Sequence, residues 1–219
     1  MAYGGYADYV RVERNYAFKV PDSIPSAAAA PLLCAGVTVF TPLKRNVKPG
    51  NRVGVIGIGD LGYLAIQFIR ALGATPVAFS RSANKEKEIR ALGAVSSYNL
   101  SDAEDVEKAT NSVNVLLLTA DATNMPYNTY LTLVKKRGTF IMVGVPDDDV
   151  KFKPMFVVAK GIKWVGSLIG SIQDIKDMLV LSAEKGVRAI VQQMPMSKVN
   201  EDVALMCAGR VRYRVVLEN

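Results

Sequence analysis

Gly57-Ile58-Gly59-Asp60-Leu61-Gly62 has the G-x-G-x-x-G spacing that lets a main-chain turn close against a dinucleotide diphosphate. Each glycine has its own task. Gly57 permits the tight turn, Gly59 lets the backbone approach phosphate without a Cβ in the way, and Gly62 lets a helix pack close on the preceding strand. The free N–H groups and positive dipole end at the start of that helix favour an anion. Asp60 is an unexpected neighbour for phosphate, and its side chain is expected to turn to solvent. Three glycines alone would also fit a turn that binds nothing. Context separates the two readings: Val53-Gly54-Val55-Ile56 reads as a short buried strand, and Leu61, Leu64, Ala65, Phe68, Ile69 and Leu72 recur at helical spacing up to Gly73.

The next strand, Pro76-Val77-Ala78-Phe79, ends in Ser80-Arg81-Ser82. Sites for the unphosphorylated cofactor place Asp or Glu here, about 20 residues past the motif, to bind the ribose 2′-OH. This chain has no carboxylate there. Arg81 and, about one helical turn on, Lys85 can meet a 2′-phosphate, and Ser80 can donate from its hydroxyl. Such charge-assisted contacts favour NADP(H) by about 1.5–3 kcal/mol each. The alternative is that Arg81 and Lys85 form an ordinary solvated face.

Other chemistries lack their residues. The 219 residues include no histidine and two cysteines, Cys34 and Cys207. A Ser-His-Asp triad, a Cys-His dyad, a His-containing zinc site and a four-cysteine zinc site are all excluded for this chain. Chemistry must come from a bound cofactor, from carboxylates, Lys or Tyr, or from a partner segment. The net charge of +7 is scattered over Lys44-Arg45, Lys135-Lys136-Arg137 and Arg210 to Arg214, with no interleaved stacking aromatics. No nucleic-acid partner is expected, and a basic surface attracting an anionic cofactor explains the balance. No apolar run nears the roughly 20 residues that span a bilayer. Met1 to Tyr6 shows neither a basic nor an apolar leader region, so a cytoplasmic protein without a membrane partner is expected.

The elements that must position these residues follow from periodicity. Residues 1–20 read as extended. Ser26 is a plausible N-cap for the alanine run, and Pro31 and Gly36 punctuate an apolar stretch through Phe40. Further strands are expected at Val113–Leu118, Phe140–Val143 and Ile162–Gly166. Helices are expected at Lys85–Leu92, Asn128–Val134 with Gly138 beyond it, and Ile172–Lys185. Alternating strand and helix implies an α/β fold, a doubly wound Rossmann-type parallel sheet with helices on both faces.

Four stretches carry a resemblance: GYADYVRV at 5–12, APLLCAGVTV at 30–39, GIGDLG at 57–62 and VRYR at 211–214. In order and spacing the chain resembles the medium-chain dehydrogenase/reductases. Within them it is most like the cinnamyl alcohol dehydrogenase group and fungal NADP-dependent zinc alcohol dehydrogenases. The resemblance implies three parts: 1–34 as a remnant of a GroES-like catalytic domain, 35–175 as the NADP-binding Rossmann domain, and 176–219 returning to the catalytic domain. It implies Cys34 as a zinc ligand, Thr38 beside the nicotinamide, and Ser80, Arg81 and Lys85 on the 2′-phosphate. Gly57, Gly59, Asp60, Leu61 and Gly62 form the turn. Thr119 and Val145 lie at cofactor-touching strand ends, Ser167 and Ile169 border the nicotinamide amide, and Arg212 approaches the phosphates.

In that family a catalytic lobe precedes the GGYADYV segment and supplies the other zinc ligands. This chain does not contain it, so zinc is expected in full-length relatives and not here, where Cys34 and Cys207 are expected to be buried apolar cysteines. Three readings stay open. The first is the NADP(H)-binding portion of a zinc-type alcohol dehydrogenase or aldehyde reductase, inactive without the lobe and taking aldehyde or alcohol only when it is supplied. The second is a zinc-independent NADPH reductase using Tyr127 or Tyr213 as acid. The third is a non-enzymatic nucleotide-binding or scaffold protein. A homodimer through an edge strand near Ile162–Gly166 is expected, and Tyr6, Tyr9 and Met206 are expected to lie at surfaces where apolar area favours association.

Overall fold

The computed structural model describes residues 4–81, 86–147 and 149–219. Its frame is a six-stranded sheet built from β1 (Arg52–Ile56), β2 (Thr75–Ser80), β3 (Ser96–Asn99), β4 (Val113–Leu118), β5 (Val134–Met142) and β6 (Lys163–Gly166). The order is β3-β2-β1-β4-β5-β6 and every pairing is parallel. This is the doubly wound Rossmann order, whose direction reverses between β1 and β4.

Strands buried on both faces must be apolar throughout, and alternate residues of these strands enter two different cores. Val53, Val55, Val115, Leu117 and Ile141 point into one, beneath α2 (Ala35–Asn46), α3 (Gly62–Ala71) and α8 (Ile172–Lys185). Ile56, Leu116, Leu118 and Phe140 point into the other, with residues of α5 (Ala103–Ala109) and α6 (Tyr127–Leu133). The remaining helices are α1 (Ser26–Ala29), α4 (Glu86–Ala91), α7 (Met155–Val158) and α9 (Val199–Cys207). Among the described residues no single helix is long and apolar enough to cross a membrane.

Helix ends follow local chemistry. Gly73, Gly93 and Gly186 adopt positive φ just past α3, α4 and α8, the left-handed conformation that terminates a helix. Ser171 and Asp174 form a reciprocal capping box at the start of α8. Lys160 closes α6 from outside: its Nζ donates to the carbonyls of Leu131, Thr132 and Val134 at 2.8–3.0 Å.

Several local expectations change. Ser26 is not an N-cap: it is the first helical residue, Pro25 precedes it, and no side chain caps the helix. The described part of residues 1–20 forms no strand, and its one regular piece is a 3-10 turn at Arg14–Tyr16. Val134 belongs to β5, not to the helix before it. Gly138 lies within β5, where the register against β4 slips from Val113↔Val134 to Val115↔Thr139. A β-carbon at Gly138 would lie 2.7 Å from the Asn114 carbonyl oxygen, so glycine serves close strand approach there and not helix termination. After α8, β7 (Val191–Pro195) and β8 (Arg214–Glu218) form a separate parallel pair flanking α9. Tyr6, Tyr9 and Met206 are 69%, 94% and 54% exposed.

Candidate functional site

The sheet's strands all end at one edge, and the residues after those ends build the site. Gly57 follows β1 with φ +89°, a conformation open to glycine and strained for other residues. A β-carbon at Gly62 would come 2.0 Å from the Gly57 carbonyl oxygen, which fixes how closely α3 approaches the turn. Among the described residues, nothing lies within 4 Å of the position a Gly59 β-carbon would take. Thr119, just beyond β4, braces the turn from behind, its hydroxyl 2.6 Å from the Gly57 carbonyl oxygen and 2.9 Å from that of Ile56. Gly57, Gly59, Ser80, Arg81, Met125 and Tyr130 line one cleft of about 290 Å³. The glycine turn and Arg81 therefore border one continuous groove. Leu61 is the residue before α3. Lys85 lies outside the described residues.

The other expected positions fall elsewhere along the edge. Val145 and Ser167 border an apolar hollow of about 590 Å³ beside Trp164, and Ile169 lies just beyond it with φ +52°. Thr38 sits almost buried within α2. Cys34 borders a third hollow of about 460 Å³, with Tyr6, Asp202, Met206 and Arg214.

One expectation is corrected. Cys34 and Cys207 are exposed, not buried: Cys34 occupies the bend between a 3-10 turn and α2, and Cys207 ends α9. Asp60 is exposed, as expected, and also accepts from Arg214 Nη2 at its Oδ2, 2.6 Å away. Arg212, expected near the cofactor phosphates, is engaged by Glu88 on α4 through both its Nε and its Nη2, and Arg214 of the same run reaches the glycine turn. Sequence reading gave Arg214 no role of its own, although it lies in the VRYR stretch and the basic cluster at 210–214.

Of the two tyrosines considered as acids, Tyr213 has its hydroxyl engaged, whereas the buried Tyr127 hydroxyl has no hydrogen-bond partner among the described residues. Tyr213 stacks on Tyr63, ring centroids 4.3 Å apart, and its hydroxyl donates to Glu88. Burial, reinforced by the Glu88 hydrogen bond and charge, pushes its phenol up to about 12. Tyr127 is buried against Tyr130 and Phe140, and burial raises its phenol as well.

A zinc site can be tested on donors. Catalytic zinc takes three protein ligands. Among the described residues no group of three or more His, Cys, Asp or Glu is placed to hold a metal, at Cys34 or elsewhere. These residues do not fit zinc.

A sequence-family model described as zinc-binding dehydrogenase matches residues 61–184. The chain belongs to this family. It is 36% identical over 217 residues to NADP-dependent alcohol dehydrogenase C 1 of Mycolicibacterium smegmatis, covering 99% of this chain and 62% of that protein. Its fold matches a cinnamyl alcohol dehydrogenase of Sorghum bicolor with a TM-score of 0.87 at 32% identity, covering 94% of this chain and 59% of the other. It also matches a Helicobacter pylori protein solved with NADP(H), at a TM-score of 0.81 and 27% identity, covering 94% and 59%. The family member described here thus spans about 60% of the length of the curated relatives it matches.

Proposed function

We propose that this chain binds NADP(H) as the cofactor-holding portion of a cinnamyl alcohol dehydrogenase-like alcohol dehydrogenase or aldehyde reductase. One observation carries the reading: Arg81 and Ser80 share a cleft with Gly57 and Gly59, at the end of a strand where no carboxylate stands to prefer the unphosphorylated cofactor. The nucleotide-bearing Helicobacter structure and the Mycolicibacterium relative's name support it.

The cofactor, when bound, supplies or accepts the hydride exchanged with a carbonyl or alcohol carbon. The chain's own part is binding. The backbone at Gly57–Gly62 would receive the diphosphate, Arg81 and Ser80 the 2′-phosphate, and Thr119 keeps the turn in shape. Since its donors do not fit zinc, turnover is expected only with a lobe that completes the metal site. A homodimer through β6 is part of the proposal, because among the described residues β6 pairs with β5 alone and leaves an open edge.

The deciding measurement is a fluorescence titration with NADPH and NADH, repeated for Arg81→Asp. NADPH should bind more tightly to the wild type, and the variant should lose that preference. Equal affinities for the two cofactors before mutation would overturn the 2′-phosphate reading.

A further inference from the structure

Between β4 and α6 the chain forms a loop with two faces. Ala122 and Met125 of this loop border the cleft beside Gly57, and they also border a second hollow of about 500 Å³. That volume lies in the range of small-ligand sites. The other walls of the second hollow are Asn124, Tyr127, Pro146, Asp149 and Lys151. None of these five lines the cleft at Arg81.

Burial separates rim from floor. Asn124, Asp149 and Lys151 are exposed, and Met125 and Tyr127 are buried. The rim carries two opposite charges on one side of one segment. Asp149 and Lys151 border this hollow, whereas Val150 between them borders the apolar hollow beside Trp164. Such alternation is that of extended chain, which sets residues i and i+2 about 6–7 Å apart on the same side. Among the described residues neither charge makes an ion pair or a side-chain hydrogen bond. At the floor, Tyr127 is 4% exposed, and its hydroxyl is buried with no partner among the described residues. Its ring stacks on Trp164, centroids 6.1 Å apart.

The two charges select the ligand. A lone anion such as a phosphate would be drawn by Lys151 and repelled by Asp149, and a lone cation the reverse. A ligand carrying both an ammonium and a carboxylate satisfies both. We infer that this hollow is a second small-molecule site, one that takes a zwitterionic α-amino acid with an apolar side chain. Asp149 receives the ammonium, Lys151 the carboxylate, and Met125, Tyr127 and Pro146 the side chain. The inference stands apart from the NADP(H) reading, because its charged residues lie outside that cleft.

The test uses Trp164, the chain's one tryptophan, as reporter. Its fluorescence is followed in the full chain, with calorimetry alongside, on titration with L-leucine, 4-methylpentanoate and 3-methylbutylamine. The two analogues lack the ammonium and the carboxylate respectively. The wild type should bind leucine about three- to fivefold more tightly than either analogue, about the most that one exposed ion pair gives. Asp149→Asn should erase the preference over 4-methylpentanoate, and Lys151→Gln the preference over 3-methylbutylamine. Saturating NADPH should leave leucine binding in place. No saturable leucine binding by either method, or equal affinity for the three compounds, overturns the inference. Displacement of leucine by NADPH overturns it too, by making the hollow part of the cofactor cleft. A chain that binds leucine with this preference and no NADPH supports the inference and sinks the cofactor reading alone. Should a variant fail to fold, the three wild-type affinities decide.

Discussion

Gly62 lies so close beneath Gly57 that a β-carbon on it would meet the Gly57 carbonyl oxygen at 2.0 Å. That carbonyl is also the acceptor for Thr119. Helix, turn and the end of β4 are thus fixed on one atom. Gly62→Ala must push α3 outward or flatten the turn. It should cost about 1–3 kcal/mol in urea unfolding and weaken NADPH binding in parallel. An alanine variant as stable and as tight as wild type would show that the turn has slack the geometry does not suggest.

Thr119→Val is the finer probe of the same brace. It keeps the shape and removes the hydroxyl near the Gly57 and Ile56 carbonyls. The expected loss is about 1 kcal/mol of stability, with a measurable fall in NADPH affinity. Loss of stability with unchanged affinity would make Thr119 a purely structural residue.

How much of this was legible in the chain depends on range. Val53–Ile56 and Val113–Leu118 announce themselves because both faces are buried, which leaves Asn114 as the one polar residue in the two stretches. The glycines after α3, α4 and α8 are readable as stops because the left-handed conformation is local. Ser96–Asn99 is not readable: it is a short polar edge strand, held by pairing with β2. Gly138 misleads because glycine marks a close strand approach as readily as a helix end. The strand-end rule brings Gly57, Ser80, Arg81 and Thr119 to one edge without any contact being known. The Asp60–Arg214 pair joins residues 154 positions apart, and no local pattern encodes it. Exposed Cys34 follows from a bend in the chain, whereas an apolar flanking sequence suggests burial.

Asp174 gives a pH prediction with a definite sign. Burial alone would raise its pKa, but the Ser171 backbone N–H and hydroxyl, Arg45 and Lys44 outweigh that and hold it below the ordinary 3.8. The folded state therefore favours the carboxylate, so its stabilisation is present above the unfolded pKa and lost as pH falls through the folded value. Asp174→Asn should lose about 2 kcal/mol at neutral pH, since it removes the carboxylate from both a cap and a cation pair. Its stability should also fall less steeply than the wild type's below about pH 4. Parallel acid-unfolding curves would assign the acid sensitivity elsewhere.

Tyr213 works in the opposite direction. Its phenol is pushed up to about 12, first by burial and then by Glu88. The folded state favours the protonated phenol, so stability should decline as pH rises from the ordinary phenol value of 10.0 toward about 12. An ultraviolet absorbance titration should show a phenol ionising near 12 that is missing from Tyr213→Phe. If the variant's late titration matches the wild type's, Tyr213 is not held by Glu88 in solution.

Lys160 tests the join between the second core and the cofactor edge. Its ammonium donates to three carbonyls where α6 runs into β5, the point at which chain direction changes without a glycine. Burial shifts its pKa down, yet every proton of the charged form finds an acceptor. Lys160→Met keeps the length and apolar stem while stranding those carbonyls, and should cost about 1–3 kcal/mol in urea unfolding. Tyr130, on the same helix, lines the cleft proposed for the nucleotide, so the variant should also bind NADPH more weakly than its stability loss alone would produce. Full stability in Lys160→Met would mean that water replaces the ammonium and that this lysine does not organise the α6–β5 corner.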